Sequence, residues 1–231
     1  MNLLSKLNQK YTIQLQTKPL KTKALTLVFF ALLNEQLASF FAGDIQKLHV
    51  YKNFSIPHTF SSRVPLMGVF ALLINTPLTH YGYKIIQKLV PSPLTPRKKL
   101  LQIILSTGVV TPIFCACFVS WIGLINNMKK LKLEIKNGSK LNEKLSNLIK
   151  LFLSVIKTSL KSSFLKVCST SVITSPIFML LAQKFVIPEA WTVFFAFCYF
   201  IVGTYNNTKV KLIQKRLREQ KQQQDQQDKD E

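Results

Sequence analysis

Long apolar runs alternate with short lysine-rich stretches along this chain, and that alternation constrains its fold more than any other feature. The first strong run, Ala24 to Gly43, is 20 residues long. At about 1.5 Å per residue a helix of that length spans roughly 30 Å, one hydrocarbon thickness. Further apolar segments cover 63–89, 98–126, 164–185 and 190–207. The mean hydropathy is +0.19 although the formal net charge is +21. A soluble domain rarely combines the two. Segregated along the sequence, they are what a bilayer selects, with lipid around the apolar stretches and lysines among the headgroups.

In lipid every backbone polar group needs a partner within the protein, which leaves helices for segments this long. The predicted fold class is therefore all-α: a polytopic membrane helix bundle of four to five apolar helices plus an amphipathic surface helix. Residues 1–23 form an N-terminal amphipathic, basic segment, with a short interfacial helix over 3–16 closed by Pro19. The bundle occupies 24–208. Residues 209–231 form a charged, Gln-rich tail: the last helix is expected to run out of the membrane into Lys209–Lys221, and the part beyond it to lack order.

The amphipathic helix is read over 145–161. At 100° per residue Leu145, Leu148, Ile149, Phe152, Val155, Ile156 and Leu160 share one face. Lys144, Lys150, Lys157 and Lys161 lie opposite. Such a helix lies along the membrane surface or packs sideways on the bundle. Asp44 to Ser62 reads as a polar connection, and Asn137-Gly138 as a turn.

A loose internal echo runs through the apolar segments. Thr76-Pro77-Leu78, Thr111-Pro112-Ile113 and Ser175-Pro176-Ile177 each set a hydroxyl residue before a proline. Two of them lead to similar endings, Gln87-Lys88-Leu89-Val90-Pro91 and Gln183-Lys184-Phe185-Val186-Ile187-Pro188. Pro77, Pro112 and Pro176 are expected to kink their helices, with the neighbouring hydroxyl serving the carbonyl that proline leaves free.

Lysine and arginine counts do not settle the topology. The N-terminus, 84–99, 128–161 and the tail are rich, while 44–63 and 186–190 are poor. Strict alternation over five spans would put rich regions on both sides. Either one segment fails to span or the positive-inside bias is weak in this membrane. The expected weak spanner is Phe164–Phe185, with Lys166, five Ser or Thr and Pro176.

Asn75-Thr76-Pro77-Leu78-Thr79-His80-Tyr81-Gly82-Tyr83 resembles a Gly-Pro-x-x-His-x-x-Tyr signature. Pro91, Lys98-Lys99-Leu100-Leu101 with Gln102, and Thr111-Pro112 follow at the matching spacing. Pro176, Ala182-Gln183-Lys184-Phe185 and Pro188 are similar to its Pro-x-x-Gln…Asn-Phe…Val-Pro stretch. Trp191…Gly203-Thr204-Tyr205-Asn206-Asn207-Thr208 looks like its fungal branch. Over roughly residues 4–210 the chain thus resembles the Mpv-seventeen / peroxisomal membrane protein twenty-two family. Two departures stand out: Thr76 replaces the signature Gly, and no Trp occurs over 145–166. The resemblance implies a four-span protein of the peroxisomal membrane or, alternatively, the mitochondrial inner membrane. It also implies either a small-solute channel or a role in organelle maintenance and sorting. The fungal-type ending and the absence of Arg from the first residues tilt the expectation to the peroxisome.

Glu35 is the sharpest single residue. A carboxylate inside a span costs about 2.5–3.5 kcal/mol on insertion scales, so it should face the bundle interior or a water-filled path. Its expected neighbours are His80 or an Asn or Thr of another helix, and Glu35, His80 and Gln183 are the trio whose convergence would mark a pore. Asn34, Gln36, Asn75, Thr76, Thr79 and Gln183 complete the polar set, as pore lining or as interhelical hydrogen bonds. Cys115, Cys117, Cys168 and Cys198 lie in apolar segments and read as packing residues. No catalytic, cofactor-binding or metal-ligating set is predicted, and the chain reads as a non-enzyme. The function expected is a small-solute pore or permeability factor of the peroxisomal membrane. The alternative is a structural or sorting protein without a channel. Partners are the lipid bilayer, further copies of the chain and organelle-sorting proteins. Nucleic acid is not among them, since the basic residues flank apolar segments and no nucleic-acid motif accompanies them.

Overall fold

The computed structural model describes residues 3–43, 46–51, 54–58, 63–137 and 141–230. Helix α1 (Leu3–Thr17) ends before Pro19, which opens α2 (Pro19–Phe41) from the first-turn position where its missing N–H costs nothing. The two helices fold on each other, with Leu15 buried and Tyr11 Oη 2.9 Å from Thr26 Oγ1. After α2 the chain turns at Gly43, whose φ of 62° is a left-handed conformation suited to glycine.

Part of the connection expected to be merely polar is an antiparallel hairpin, β1 (Gln46–Tyr51) and β2 (Phe54–His58). Gln46 pairs with His58 and Leu48 with Ile56, and the register shifts between His49 and Tyr51. Its β-branched and aromatic residues fit strands, but the runs are too short to stand out beside the helical segments. Within the membrane bundle itself the fold is all-α.

The second span joins α3 (Arg63–Phe70) to α4 (Thr76–Leu89) through a π-helical turn at Ala71–Asn75. The third joins α5 (Pro96–Leu105) to α6 (Thr111–Asn126) through another at Ser106–Val110. Both wide turns end two residues before a proline. Thr76 N–H reaches back five residues to Ala71 O, and Thr111 N–H likewise to Ser106 O. The threonine hydroxyls donate to the same two carbonyls, at 2.6 and 3.0 Å. The hydroxyl-proline pair therefore carries a π turn here, and the hydroxyl goes to a carbonyl that already holds an N–H rather than to the expected one, which proline leaves free. Helix α8 remains α-helical through Pro176. Its Ser175 is buried with its Oγ 3.2 Å from Thr111 Oγ1, so two members of the echo touch.

After α7 (Met128–Asn137) the expected turn at Asn137-Gly138 falls partly outside the described residues. The next element corrects two expectations at once. The amphipathic stretch and the fourth apolar segment are one continuous helix, α8 (Leu141–Phe185), 45 residues or roughly 67 Å long. No glycine or helix-breaking turn separates 145–161 from 164–185, so the helix continues. Its first half packs sideways on α6, with Val155 buried and Ser159 against Gly123. A Cβ at Gly123 would overlap Ser159 Oγ, so this crossing depends on glycine.

Helix α9 (Trp191–Asp230) follows a short 3-10 turn at Pro188–Ala190. It runs through Lys209–Lys221 as expected and corrects the expectation beyond: the tail is helical to Asp230, since Lys, Arg, Gln, Glu and Leu are good helix formers. Among the described residues, four helical stretches are long and apolar enough to cross a membrane: Pro19–Phe41, Arg63–Leu89, Pro96–Asn126 and Leu145–Phe185. The segment expected to be weakest thus lies within one of the four, whereas α9 falls below the threshold. At most 28% of each span's most apolar stretch is buried. Phe29, Leu73, Ile104 and Ile173 stand outward, apolar groups that lipid solvates.

The core sits where α4, α5, the end of α8 and the start of α9 meet. Tyr83 stacks on Phe195 at 5.0 Å, and Met179, Ala182 and Trp191 close around them. At the opposite end Phe70 meets Phe118 and Trp121, and Trp121 Nε1 donates to Leu66 O at 3.1 Å.

Candidate functional site

The polar residues of the bundle gather in three places. The most strongly charged lies between α2 and α9, which run parallel. Phe30 stacks on Phe200 at 5.3 Å, and Asn34 Nδ2 donates to Phe200 O at 3.2 Å. Gly203 permits that approach, since a Cβ there would sit 2.9 Å from Asn34 Nδ2. About two turns past Gly203, Lys211 Nζ lies 2.6 Å from Glu35 Oε1 and donates to Ser39 Oγ at 2.6 Å. Asn207 Nδ2 donates to Glu35 Oε2 at 2.8 Å and lies 3.3 Å from Asn34 Oδ1. Glu35 and Lys211 are each 6% exposed, so this is a buried ion pair with both carboxylate oxygens engaged. Full pairing is what makes a charge tolerable at such a place.

The second place is near the start of α2. Lys23, buried, has its Nζ 3.3 Å from His80 Nδ1 on α4. The His80 ring also meets Tyr81 edge-on at 5.1 Å.

The third place ties the ends of three spans through neutral amides. Gln102, buried on α5, donates to Val90 O at 3.0 Å. Gln183 Nε2 on α8 donates to Gln102 Oε1 at 3.0 Å and to Lys99 O at 3.1 Å. Gln87 Nε2 donates to Pro188 O at 3.0 Å. The two echoed endings therefore tie into each other. The glutamine of the first reaches the proline of the second, and the glutamine of the second reaches Val90 of the first through Gln102.

Glu35, His80 and Gln183 do not converge. Glu35 lies 12 residues beyond Lys23 on α2, roughly 18 Å along the axis. The carboxylate's partners are Asn207 and Lys211 of the last helix, while His80 meets Lys23 and Gln183 meets Gln102. Of the remaining predicted residues, Thr76 and Thr79 bond to carbonyls of their own helical stretch. Asn75 takes the Thr79 hydroxyl on its backbone carbonyl and is half-buried, as is Gln36.

An Asn of another helix was expected beside Glu35, and Asn207 is one; Lys211, with its second acceptor Ser39, was missed. Asn207 and Lys211 are four apart, one face of a helix. Lys23, counted only in the basic segment 1–23, and the role of Gln102 were missed as well. Chemically, the three clusters hold helices together. Among the described residues no group of three or more His, Cys, Asp or Glu is placed to hold a metal ion.

Comparison with known proteins gives two relatives. The chain is 32% identical over 201 residues to the Woronin body membrane protein wscA of Aspergillus fumigatus, covering 87% of this chain and 75% of that protein. It is also 32% identical over 197 residues to the Woronin sorting complex protein of Neurospora crassa, covering 85% of this chain and 54% of that one. No family model matches the chain, and no solved structure matches it.

Proposed function

This chain belongs to the family of the Woronin body membrane protein wscA, and on that premise we propose that it is a sorting protein embedded in the membrane of a peroxisome-derived organelle. It acts without catalysis and without a cofactor, and it belongs to the larger Mpv-seventeen / peroxisomal membrane protein twenty-two group that its proline and glutamine motifs resemble. Its partners are lipid, further copies of the chain and sorting proteins that dock on its basic exterior.

One observation carries this reading over a solute pore. A pore needs polar groups lining one path. Here Glu35, His80 and Gln183 belong to three different clusters, and each has a partner on another helix. Polar chemistry inside the bundle goes to cohesion. What remains for partners is the exterior, including exposed Lys150 and Lys157 on α8 and the helical extension of α9.

The test is a tagged copy in fungal cells, with Lys150→Glu/Lys157→Glu and, separately, deletion of 220–231, which leaves Lys211 in place. Both variants should stay in the membrane pellet after carbonate washing while the organelle membrane is mis-sorted. Purified protein in planar bilayers should be silent. A solute-selective conductance altered by Glu35→Gln, with sorting intact in both exterior variants, would overturn the sorting reading in favour of a pore.

A further inference from the structure

The ion clamp holds α9 along α2, and on its lipid-facing side the pair leaves a groove. Leu37 and Phe41 of α2 and Phe200, Ile201 and Tyr205 of α9 line a cavity of about 410 Å³, within the range of pockets that take a small molecule. Thr204 and Thr208 complete it. Both bond their hydroxyls back into the helix, to Phe200 O and Thr204 O at 2.7 Å each, so the walls are almost wholly apolar.

One end of this groove is cationic. Lys209 Nζ lies 4.5 Å from the centroid of the Tyr205 ring, itself a wall residue. Lys215 Nζ lies 3.4 Å from where a Cβ of Gly43 would be, directly past the end of α2. Arg216 beside it is exposed. The acid within the bundle, Glu35, is taken by Lys211, and Glu219 follows one turn beyond Lys215. The apolar groove thus occupies the last turns of α2, and the cations begin where α2 leaves the apolar layer.

We propose that this groove binds one anionic phospholipid, an acyl chain along Leu37, Phe41, Ile201 and Tyr205 and its phosphate headgroup at Lys209, Lys215 and Arg216. Charge complementarity selects this occupant: an apolar trough that ends in three cations at headgroup depth matches a lipid that is apolar at one end and anionic at the other. The site does not depend on the sorting role and would exist in a pore as well.

The experiment is native mass spectrometry of the purified full chain equilibrated with equal amounts of phosphatidylinositol and phosphatidylcholine. The expected result is one retained phosphatidylinositol, preferred on the order of tenfold. Lys209→Gln/Lys215→Gln/Arg216→Gln should abolish the preference, and Ile201→Trp, which fills the trough, should abolish retention of that one lipid. Equal retention of the two lipids by the unaltered chain would overturn the proposal, and that arm needs no variant to fold. Unchanged phosphatidylinositol retention in Ile201→Trp would also overturn it, by assigning the binding to surface cations alone. So would a disulfide between Tyr205→Cys residues of two copies that phosphatidylinositol does not suppress, since a second copy would then fill the groove.

Discussion

The two ends of this bundle are held by different chemistry. Where α2 and α9 meet, a buried carboxylate and ammonium supply the attachment, with Asn207 and Ser39 as further partners. Where α4, α5 and α8 end, glutamine amides bond to carbonyls around a packed aromatic core. The difference follows what each end has to hold. The helices tied by neutral amides include spans apolar enough to stay in lipid by composition. Helix α9 carries Asn206, Asn207, Lys209 and Lys211 within and just past its apolar part, and it needs a compensating partner for its ammonium. Glu35 provides it, and α9 returns the favour to a carboxylate that would otherwise be stranded.

The comparison predicts unequal responses to damage. The largest is expected from Lys211→Met, which strands Glu35: about 3–5 kcal/mol of stability lost, read as a lower melting temperature in detergent and as new protease cleavage in α9. Adding Glu35→Met should restore most of the loss, because an apolar pair of similar size replaces the ions. If the double variant is no better than the single one, the two groups are not coupled and the contrast between the ends fails.

Next comes steric damage. Gly123→Leu should lose about 1–3 kcal/mol through overlap with Ser159, and Ser159→Gly should recover part of it. Thermal unfolding of the three variants checks this, and it shows whether the crossing of α6 with α8 behaves like a packed core. At the neutral end, Gln102→Leu should cost about 1 kcal/mol, since it frees the Val90 carbonyl and one Gln183 partner without stranding a charge. A loss as large as that of Lys211→Met would erase the distinction. The smallest effect belongs to Thr76→Val, about 0.6 kcal/mol, because the Thr76 N–H still reaches Ala71 O when the hydroxyl is gone. Denaturant titration in mixed micelles has the sensitivity to test it.

Much of this architecture was legible in advance. The apolar runs mark the spans because only a helix of about 20 residues satisfies its backbone across lipid. Thr76-Pro77 and Thr111-Pro112 announced an irregularity, though not that it would be a π turn, which depends on how one carbonyl is shared between N–H and hydroxyl. The grouping of the polar candidates was not readable. Glu35 and Lys211 lie 176 positions apart, and no periodicity links residues on different helices. The continuity of α8 and the helical course of 222–230 were missed because polar composition was equated with an end of helix. Lys-, Gln- and Arg-rich stretches propagate a helix well once a packed segment has nucleated it.

By itself, then, the amino-acid order determined the solvent: apolar stretches of membrane length, bracketed by lysines, demand lipid and therefore helices. Which helix each buried polar group would face was decided by tertiary structure alone. Hydrophobicity is a property of a segment, while a hydrogen bond or an ion pair is a property of two side chains held within 3 Å, and the packing of α9 along α2 is what brings those two together.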